Sequence, residues 1–312
     1  MKEADMDINQ GELVSFIIPC YCESEIQFRQ SIESVINQTY QNLDIVIILD
    51  NPENELLLTL GQEYARKDER VRFIVNEKNL GLTKTLNKGI HYVKGELIAR
   101  LDADDIALPN RIEEQIKYIS EHDLVSTNFS FINESNEVIQ DRHFPETDDK
   151  IKYYMLHSMD CMFHTTWLGK KSLFEKLNGY RDIGPFEDYD FLLRGIKIGA
   201  KYYNIQQSLT QYRINMRGIS QTNKVLQHLG SEFLRDNFNR IEEIRFTEIL
   251  RYLESISGQK KIKEFNIYDK IKEEIFSAHN KSEFYIKAIR AIPKLFFNYY
   301  GRKKMLDLFK YR

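Results

Sequence analysis

The sequence predicts an α/β fold: a mostly parallel central sheet with helices on both faces, followed by a helical C-terminal region. Three observations carry this. Over the first two-thirds of the chain, short apolar runs alternate with segments whose apolar residues recur at helical spacing. The runs are apolar throughout, as in strands buried on both faces. After about Ile219 the strand-like runs stop and three-and-four spacing continues, as at Ile241, Ile244, Ile249, Leu250 and Leu253. No Pro/Gly hinge or low-complexity linker marks the change. The regions expected are therefore 1–218 and 219–312.

The elements follow in order. Leu13–Tyr21 is a buried strand stopped by Pro19, and Ser24–Gln38 is a helix with Ser24 as its N-cap. Leu43–Leu49 is a second apolar strand ending at Asp50, followed by a helix over Glu53–Lys67 and a strand over Val71–Val75. Asn79–Gly81 reads as a turn, Leu82–Val93 as a helix and Glu96–Leu101 as a fourth strand. Beyond Arg111–Ser120, a helix, the spacing predicts strands at Leu124–Thr127 and Ser130–Ile139, with a hairpin turn at Asn133–Asn136. Next come a short helix at Lys150–Ser158, a strand-like run at Cys161–Leu168 and a helix at Lys171–Leu177 ending in Asn178-Gly179. A helix over Phe186–Ile198 opens with Glu187, Asp188 and Asp190, and short strands follow at Lys201–Asn204 and Leu209–Tyr212.

Ligands of open parallel sheets bind beyond the carboxyl ends of the strands. That rule gathers Pro19–Glu23, Asp50, Asn79–Gly81 and Asp102–Asp105 around one crevice. The last group is chemically the most pointed. In IARLDADDIALP the strand ends in three carboxylates, Asp102, Asp104 and Asp105, within four positions. Carboxylates crowded at a strand end repel one another and persist when a cation or ligand neutralises them. Oxygen-only ligands suit Mg²⁺ or Mn²⁺, and Mg²⁺ takes one or two carboxylates alongside substrate phosphates. The plainer reading, that Asp105 starts a turn and Pro109 opens a helix, accounts for one Asp and not three.

Composition bounds the rest. With 312 residues, 42% hydrophobic and 12% aromatic, the chain can bury a sizeable core. A net charge of −3 does not indicate a general nucleic-acid binder. Cys20, Cys22 and Cys161 are too sparse for a disulfide framework; they fit a reducing cytosol, with Cys20 and Cys22 as free core thiols. His157, Cys161 and His164 are zinc-ligand types without a fourth companion. The start, MKEADMDINQGE, is acidic and polar, unlike a secretory signal, and no apolar run approaches the ~18 residues of a membrane span.

The first ~215 positions resemble the family 2 glycosyltransferases of the GT-A fold. The matches run in order: VSFIIPCY, a strand ending in Asp50, NEKNLGLTKTLNKGI, ELIARLDADD, FHTTW, NGYRD, FEDYDFLLR and YRI. Each is weak alone; the ordered series is specific. The resemblance implies a Rossmann-like sheet with a nucleotide-diphosphate sugar, a UDP-sugar by preference, across its carboxyl edge. It implies Mn²⁺ or Mg²⁺ held by Asp104 and Asp102, with Ala103 between them in the donor-binding stretch. Asp50 matches the acidic residue that accepts from the base, although Asn51-Pro52-Glu53 follows where the family has Asp, Gly and Ser/Thr. Tyr21 and Glu23 match the first loop, with Cys22 where Asn is common, and Pro19 and Tyr21 would flank the base. Asn79 and Gly81 belong to the same donor-binding set. Arg100 would meet phosphate or hold the aspartates. Asp188 matches the base of an inverting transfer, beside Glu187. His164 and Trp167 match positions near the acceptor pocket, with core packing the other reading for Trp167. Asn215 stands where the family has His, and Arg217 is the candidate to replace it against the diphosphate.

The implied acceptor is a glycan or a lipid-linked glycan of bacterial surface-polysaccharide synthesis. Two alternatives remain: a nucleotidyltransferase that makes the activated sugar, and a non-catalytic nucleotide-sugar-binding module. The first needs a Gly-rich, basic phosphate loop after strand one, and PCYCESE has neither Gly nor Lys/Arg. The second sits badly with Asp102, Asp104 and Asp188 together. From Lys281 to the end there are nine Lys/Arg against two acidic residues, interleaved with aromatics. This local charge of +7 leaves −10 for everything before it. Such a tail suits either peripheral contact with an anionic membrane or homo-oligomer packing through the C-terminal helices. The expected location is the cytoplasm, or the inner face of the cell membrane. Pro293 is expected to divide the tail into two helical pieces.

Overall fold

The computed structural model describes residues 11–158, 160–214, 223–277 and 281–303. These fall into two compact units, Met1–Ile183 with Glu187–Met216, and Gly184–Phe186 with Arg217–Arg312.

In the first unit the apolar runs become strands because they are short, rich in β-branched residues and able to pair with neighbours that satisfy their buried backbone. Strands β1 (Val14–Cys20), β2 (Leu43–Leu49), β3 (Val71–Val75) and β4 (Leu97–Arg100) alternate with helices α1 (Glu25–Ile36), α2 (Glu55–Lys67) and α3 (Leu82–Tyr92). All seven residues of both β1 and β2 are buried. Helix α1 starts where the sequence places it: Ser24 Oγ accepts from Gln27 N, and Gln27 Oε1 accepts from Ser24 N, a reciprocal cap.

The remaining elements are β5 (Ile106–Ala107), α4 (Arg111–Ile119), β6 (Leu124–Ile132), β7 (Val138–Arg142), α5 (Asp148–His157), β8 (Leu168–Lys170), α6 (Lys171–Lys176), α7 (Glu187–Lys197) and β9 (Tyr202–Arg213). Among the described residues the nine strands form one sheet in the order β3-β2-β1-β4-β8-β6-β9-β5, with β7 on β6. Pairing is parallel from β3 to β4 and mixed beyond, because β8 and β5 run against their neighbours. The predicted α/β sheet with flanking helices is therefore present, its parallel half being the half that carries the carboxylates.

Three local expectations change and one holds. Cys161–Leu168 is not a strand: a 3-10 turn forms at His164–Thr166. Thr166 Oγ1 donates to Phe163 O at 2.7 Å and Trp167 Nε1 to Met162 O at 2.8 Å, local bonds that compete with a ladder. The two short strands near residues 201–212 are one long strand, β9, whose register against β6 shifts at Asn128. There the Asn128 side chain donates to Gln206 O, filling the interrupted ladder. Cys20 is buried but Cys22 is exposed, because β1 ends at Cys20. Asn136 closes the hairpin between β6 and β7 at φ 64°, as the turn at Asn133–Asn136 anticipates.

The second unit is built from α8 (Lys224–Asp236), α9 (Phe246–Glu254), α10 (Ile256–Phe276) and α11 (Lys281–Phe297) among the described residues. Leu229, Phe265 and Tyr300 form its core. Tyr300 Oη donates to the buried Glu232 at 2.9 Å, which Lys261 and Lys303 also approach. Pro293 lies inside α11 and does not divide it. No described helix is long and apolar enough to cross a membrane.

Candidate active site

The chain leaves β4 through Arg100–Asp105, where several backbone groups are held from outside the segment. Ser31 Oγ donates to Asp102 O at 3.0 Å, and Asp102 N donates to Thr165 Oγ1 at 3.1 Å. The fully buried Arg111 donates to Arg100 O and Trp167 O at 2.8 and 3.1 Å. It thereby ties the strand end to the loop before β8. Arg100 is 3% exposed and donates to Asp102 Oδ1 at 2.6 Å, and also to Leu101 O. Of its two readings, the structure supports the one that holds an aspartate. Asp102 keeps a side chain 38% exposed.

Asp105 is buried, and its Oδ1 accepts from Arg213 N at 2.8 Å while Arg213 Nε donates to Asp104 O at 2.9 Å. Asp105 thus ties the loop to the end of β9. Asp104 is different. Burial, then the charges of Asp102 and Glu23, push its carboxyl up to about 7. Glu23 is raised as well, by burial first, and Asp102 adds to it, although Glu23 Oε2 accepts from Tyr21 N at 2.7 Å. Three carboxyls, of Asp102, Asp104 and Glu23, repel one another here, with Arg100 on Asp102 and the charge of Arg213 offsetting part of the repulsion. Ala103 is buried between the two aspartates. Among the described residues no three His, Cys, Asp or Glu side chains are grouped to cage a metal. The donor set suits an ion whose other ligands come from phosphate oxygens and water.

The donor-side residues divide. Tyr21 is 45% exposed at the strand exit, and its carbonyl accepts from Asn51 and Asn54 side chains at 3.3 Å. Pro19 is buried inside β1, paired with Ile48, one residue before the strand ends. Asp50 is buried and already employed: Oδ1 accepts from Asn76 Nδ2 at 2.7 Å and Leu80 N at 2.8 Å, and Oδ2 from Gly81 N at 2.9 Å. It clasps the turn that Asn79 also braces, Asn79 Oδ1 accepting from Gly81 N at 2.9 Å. Gly81 sits at φ 82°, a conformation glycine adopts without strain.

Helix α7 brings Glu187 and Asp188. Asp188 Oδ1 accepts from Tyr189 N at 2.6 Å. Burial pushes the Asp188 carboxyl up to about 6, Asp102 raising it further and Arg100 opposing. Burial and the Asp188 charge push Glu187 up to about 8. Asp102, Arg100, Glu187 and Asp188 therefore act on one another electrostatically, although the chain separates the pairs widely. Asp160 joins them and was missed by the sequence: burial and Asp188 push it up to about 8, with Oδ1 accepting from Met162 N at 3.0 Å. Asp190 is fully buried between Arg194 and Arg181, each donating to it, so it holds α7 in place.

His164 and Trp167 belong to the packing beneath the site. His164 Nε2 pairs with Tyr180 Oη at 2.7 Å, and burial, then Arg100, lowers its pKa well below the usual value, leaving it neutral. Trp167 is fully buried, 4.5 Å from the His164 ring and 5.6 Å from Phe191. Trp167 thus takes the core reading rather than lining an acceptor pocket, and His164 contacts it from the same buried cluster. His157 and Cys161 likewise bond to backbone carbonyls, of Tyr153 and Ile151. Asn215 and Arg217 lie outside the described residues.

The family model described as "Glycosyl transferase family 2" matches residues 15–177, more than half of the chain. The chain belongs to glycosyltransferase family 2. An uncharacterized glycosyltransferase of Methanocaldococcus jannaschii is 36% identical over 209 residues, covering 66% of this chain and 72% of that one. The O-antigen biosynthesis glycosyltransferase WbnJ of Escherichia coli is 30% identical over 210 residues, covering 66% and 82%. Among solved structures, S. aureus TarS 1–349 in complex with UDP-GlcNAc matches with a TM-score of 0.56 at 16% identity, over 78% of this chain and 73% of that one. The mannosyltransferase PcManGT from Pyrobaculum calidifontis, in complex with GDP-Man and Mn²⁺, matches with a TM-score of 0.58 at 13% identity, over 94% and 84%. At those identities the likeness is one of fold. For a family 2 glycosyltransferase the GT-A architecture and the carboxylates at the end of β4 now belong to one description.

Proposed function

We propose that this glycosyltransferase is inverting. It moves a sugar from a nucleoside-diphosphate sugar, a UDP-sugar by preference, to a hydroxyl of a glycan or lipid-linked acceptor in surface-polysaccharide synthesis. The observation that carries the reading is the meeting of Asp188 and Glu187, at the start of α7, with Asp160 and with the charges of Asp102 and Arg100 from the end of β4. Burial raises all three of Asp188, Glu187 and Asp160, and Tyr189 N, donating to Asp188, favours its ionised form. Neighbouring carboxyls in unequal surroundings can take separate acid and base roles.

Asp188 accepts the proton of the acceptor hydroxyl as that oxygen attacks the anomeric carbon from the face opposite the diphosphate. Such help is worth roughly 10²–10⁴-fold. Glu187, neutral, donates a hydrogen bond on the acceptor side without adding a repelling charge. Arg100 fixes Asp102 and offsets part of the negative field on Asp188. Asp104 and Asp102 would hold Mn²⁺ or Mg²⁺, which when bound stabilises the charge of the departing diphosphate. Tyr21, Asn79, Gly81 and the clasp of Asp50 shape the donor side. The Mn²⁺ and nucleotide sugars in the solved neighbours, and the O-antigen role named for the E. coli relative, support this reading.

The test is the anomeric configuration of the product formed from a UDP-sugar panel with Mn²⁺, read by NMR. Inversion is expected. A retained configuration overturns the role of Asp188 as base.

A further inference from the structure

One set of hydrogen bonds ties helix α3 to the donor-side turn, and another ties the loop at residues 177–181 to helix α7. Asp50 clasps the turn at Leu80 and Gly81, and Asn76 Nδ2, which donates to Asp50, also donates to Thr85 Oγ1 at 2.9 Å. Lys88 Nζ donates to Asn76 Oδ1 at 2.7 Å. Helix α3 is thereby fixed to the exit of β2. On the other side, Arg194 donates to Leu177 O at 2.6 Å and to Gly179 O at 2.8 Å, and Arg181 Nε donates to Asp190 Oδ2 at 3.0 Å. Arg194 and Asp190 belong to the helix that opens with Glu187 and Asp188.

Asn87, between Thr85 and Lys88 on α3, joins the two sets. Its Nδ2 donates to Tyr180 O and its Oδ1 accepts from Tyr180 N, both at 2.8 Å, across 93 positions of sequence. The exchange is that of a ladder pair, with a side-chain amide in place of one strand. A primary amide carries an acceptor and donors at one end, which an ionised carboxylate does not. The loop is shaped to receive it. Gly179 stands at φ 69°, and a Cβ there would run into Asn87 Oδ1. Tyr180 is 5% exposed, so its backbone groups depend on the amide rather than on water.

We propose that Asn87 is a positioning residue, setting the spacing between the donor turn and the loop that supports the base at the start of α7. It acts through Tyr180 and α7, not by touching the reacting atoms. Groups held on separate elements react only while those elements keep their spacing, and about 1 Å of misplacement can cost ~10²-fold in rate. The inference rests on the proposed function, in which α7 carries the base.

UDP and GDP are each titrated with Mn²⁺ into the wild type by calorimetry, and the tighter one reads the donor side. Release of that nucleotide from its sugars reads turnover, expressed per titrated site so that unfolded protein does not count. Asn87→Ala should bind the nucleotide as the wild type does and turn over at least about tenfold more slowly. Asn87→Asp keeps an acceptor for Tyr180 N but loses the donor to Tyr180 O, and should be slowed at the same nucleotide affinity. If Asn87→Ala does not fold, Asn87→Asp decides. A merely structural role would reduce the number of sites and leave turnover per site unchanged. That result overturns the proposal. So does nucleotide affinity falling in step with turnover, or the loss of all sites in both variants, since the amide would then sustain the donor side itself. The configuration of the wild-type product reads Asp188 separately. A retained configuration removes the base and leaves the Asn87 split to stand; inversion without the split removes the spacing role alone.

Discussion

Asp188 and Glu187 are sequence neighbours at the start of α7, yet their carboxyls sit at about 6 and about 8. Both are raised by burial, and each charge makes the next harder to form. Asp188→Asn should therefore cut turnover by at least ~10²-fold while donor affinity stays near wild type, measured by steady-state kinetics and donor titration. A large loss of donor binding with turnover intact would contradict the assignment. Because the base must be ionised, kcat/KM should fall as pH drops through about 6, close to tenfold per pH unit. Glu187 carries a stability consequence of the opposite sense. Its folded pKa lies above the unfolded one, so its contribution is present at low pH and lost as pH rises through about 8. Glu187→Gln removes that titration, and its melting temperature should decline less than that of the wild type between neutral and mildly alkaline pH. At β4, Asp104→Asn should abolish transfer and weaken Mn²⁺-dependent diphosphate binding, with the circular dichroism spectrum unchanged. Near-normal turnover with Mn²⁺ would rule out Asp104 as a ligand. Asp160 was invisible beforehand, because a lone Asp between Met159 and Cys161 has no partner at any telling spacing; only the fold brings its charge to Asp188.

At the scale of elements, turns decide which side chains stay free for a ligand. Asp50 ends β2 as its apolar run predicts, but its oxygens are spent on Asn76, Leu80 and Gly81 rather than left open. Asp50→Ala leaves those donors without their acceptor, at a cost of about 1–3 kcal/mol for a buried group left unpaired. The expected result is a lower melting temperature together with weaker donor binding, since the turn that opens α3 loosens. Unchanged stability would show that the clasp is dispensable. The 3-10 turn at His164–Thr166 makes a related point. A short apolar run reads as a strand until its hydroxyl and indole groups find nearby carbonyls.

For the whole molecule, two compact units mean that unfolding need not be a single transition. A bound donor stabilises the unit that holds it, by about 2.7 kcal/mol when present at a hundred times its dissociation constant. Calorimetry with a panel of nucleotide sugars and Mn²⁺ should raise one transition clearly for one donor and leave the rest near baseline. Equal shifts for all, or none for any, would remove the donor-binding reading of the crevice. The same experiment selects between uridine and guanosine donors, a choice that Asn51-Pro52-Glu53 obscures because it departs from the family pattern.

The sequence by itself determined the alternation of buried strands and helices and the crowding of Asp102, Asp104 and Asp105 at one strand exit, while Asp188 came forward through the family resemblance. It could do so because hydrophobic period and clustered charge are local properties, written within a few positions. The tertiary structure alone decided which candidates are open and which are occupied. Arg100 is committed to Asp102, Asp50 to a turn, Pro19 and Trp167 to the interior, and Asp160 is added to the acidic group. Those outcomes depend on burial and on donors supplied from distant parts of the chain. A carboxylate's chemistry is set by what surrounds it in space, and that is fixed only once the sheet has closed around it.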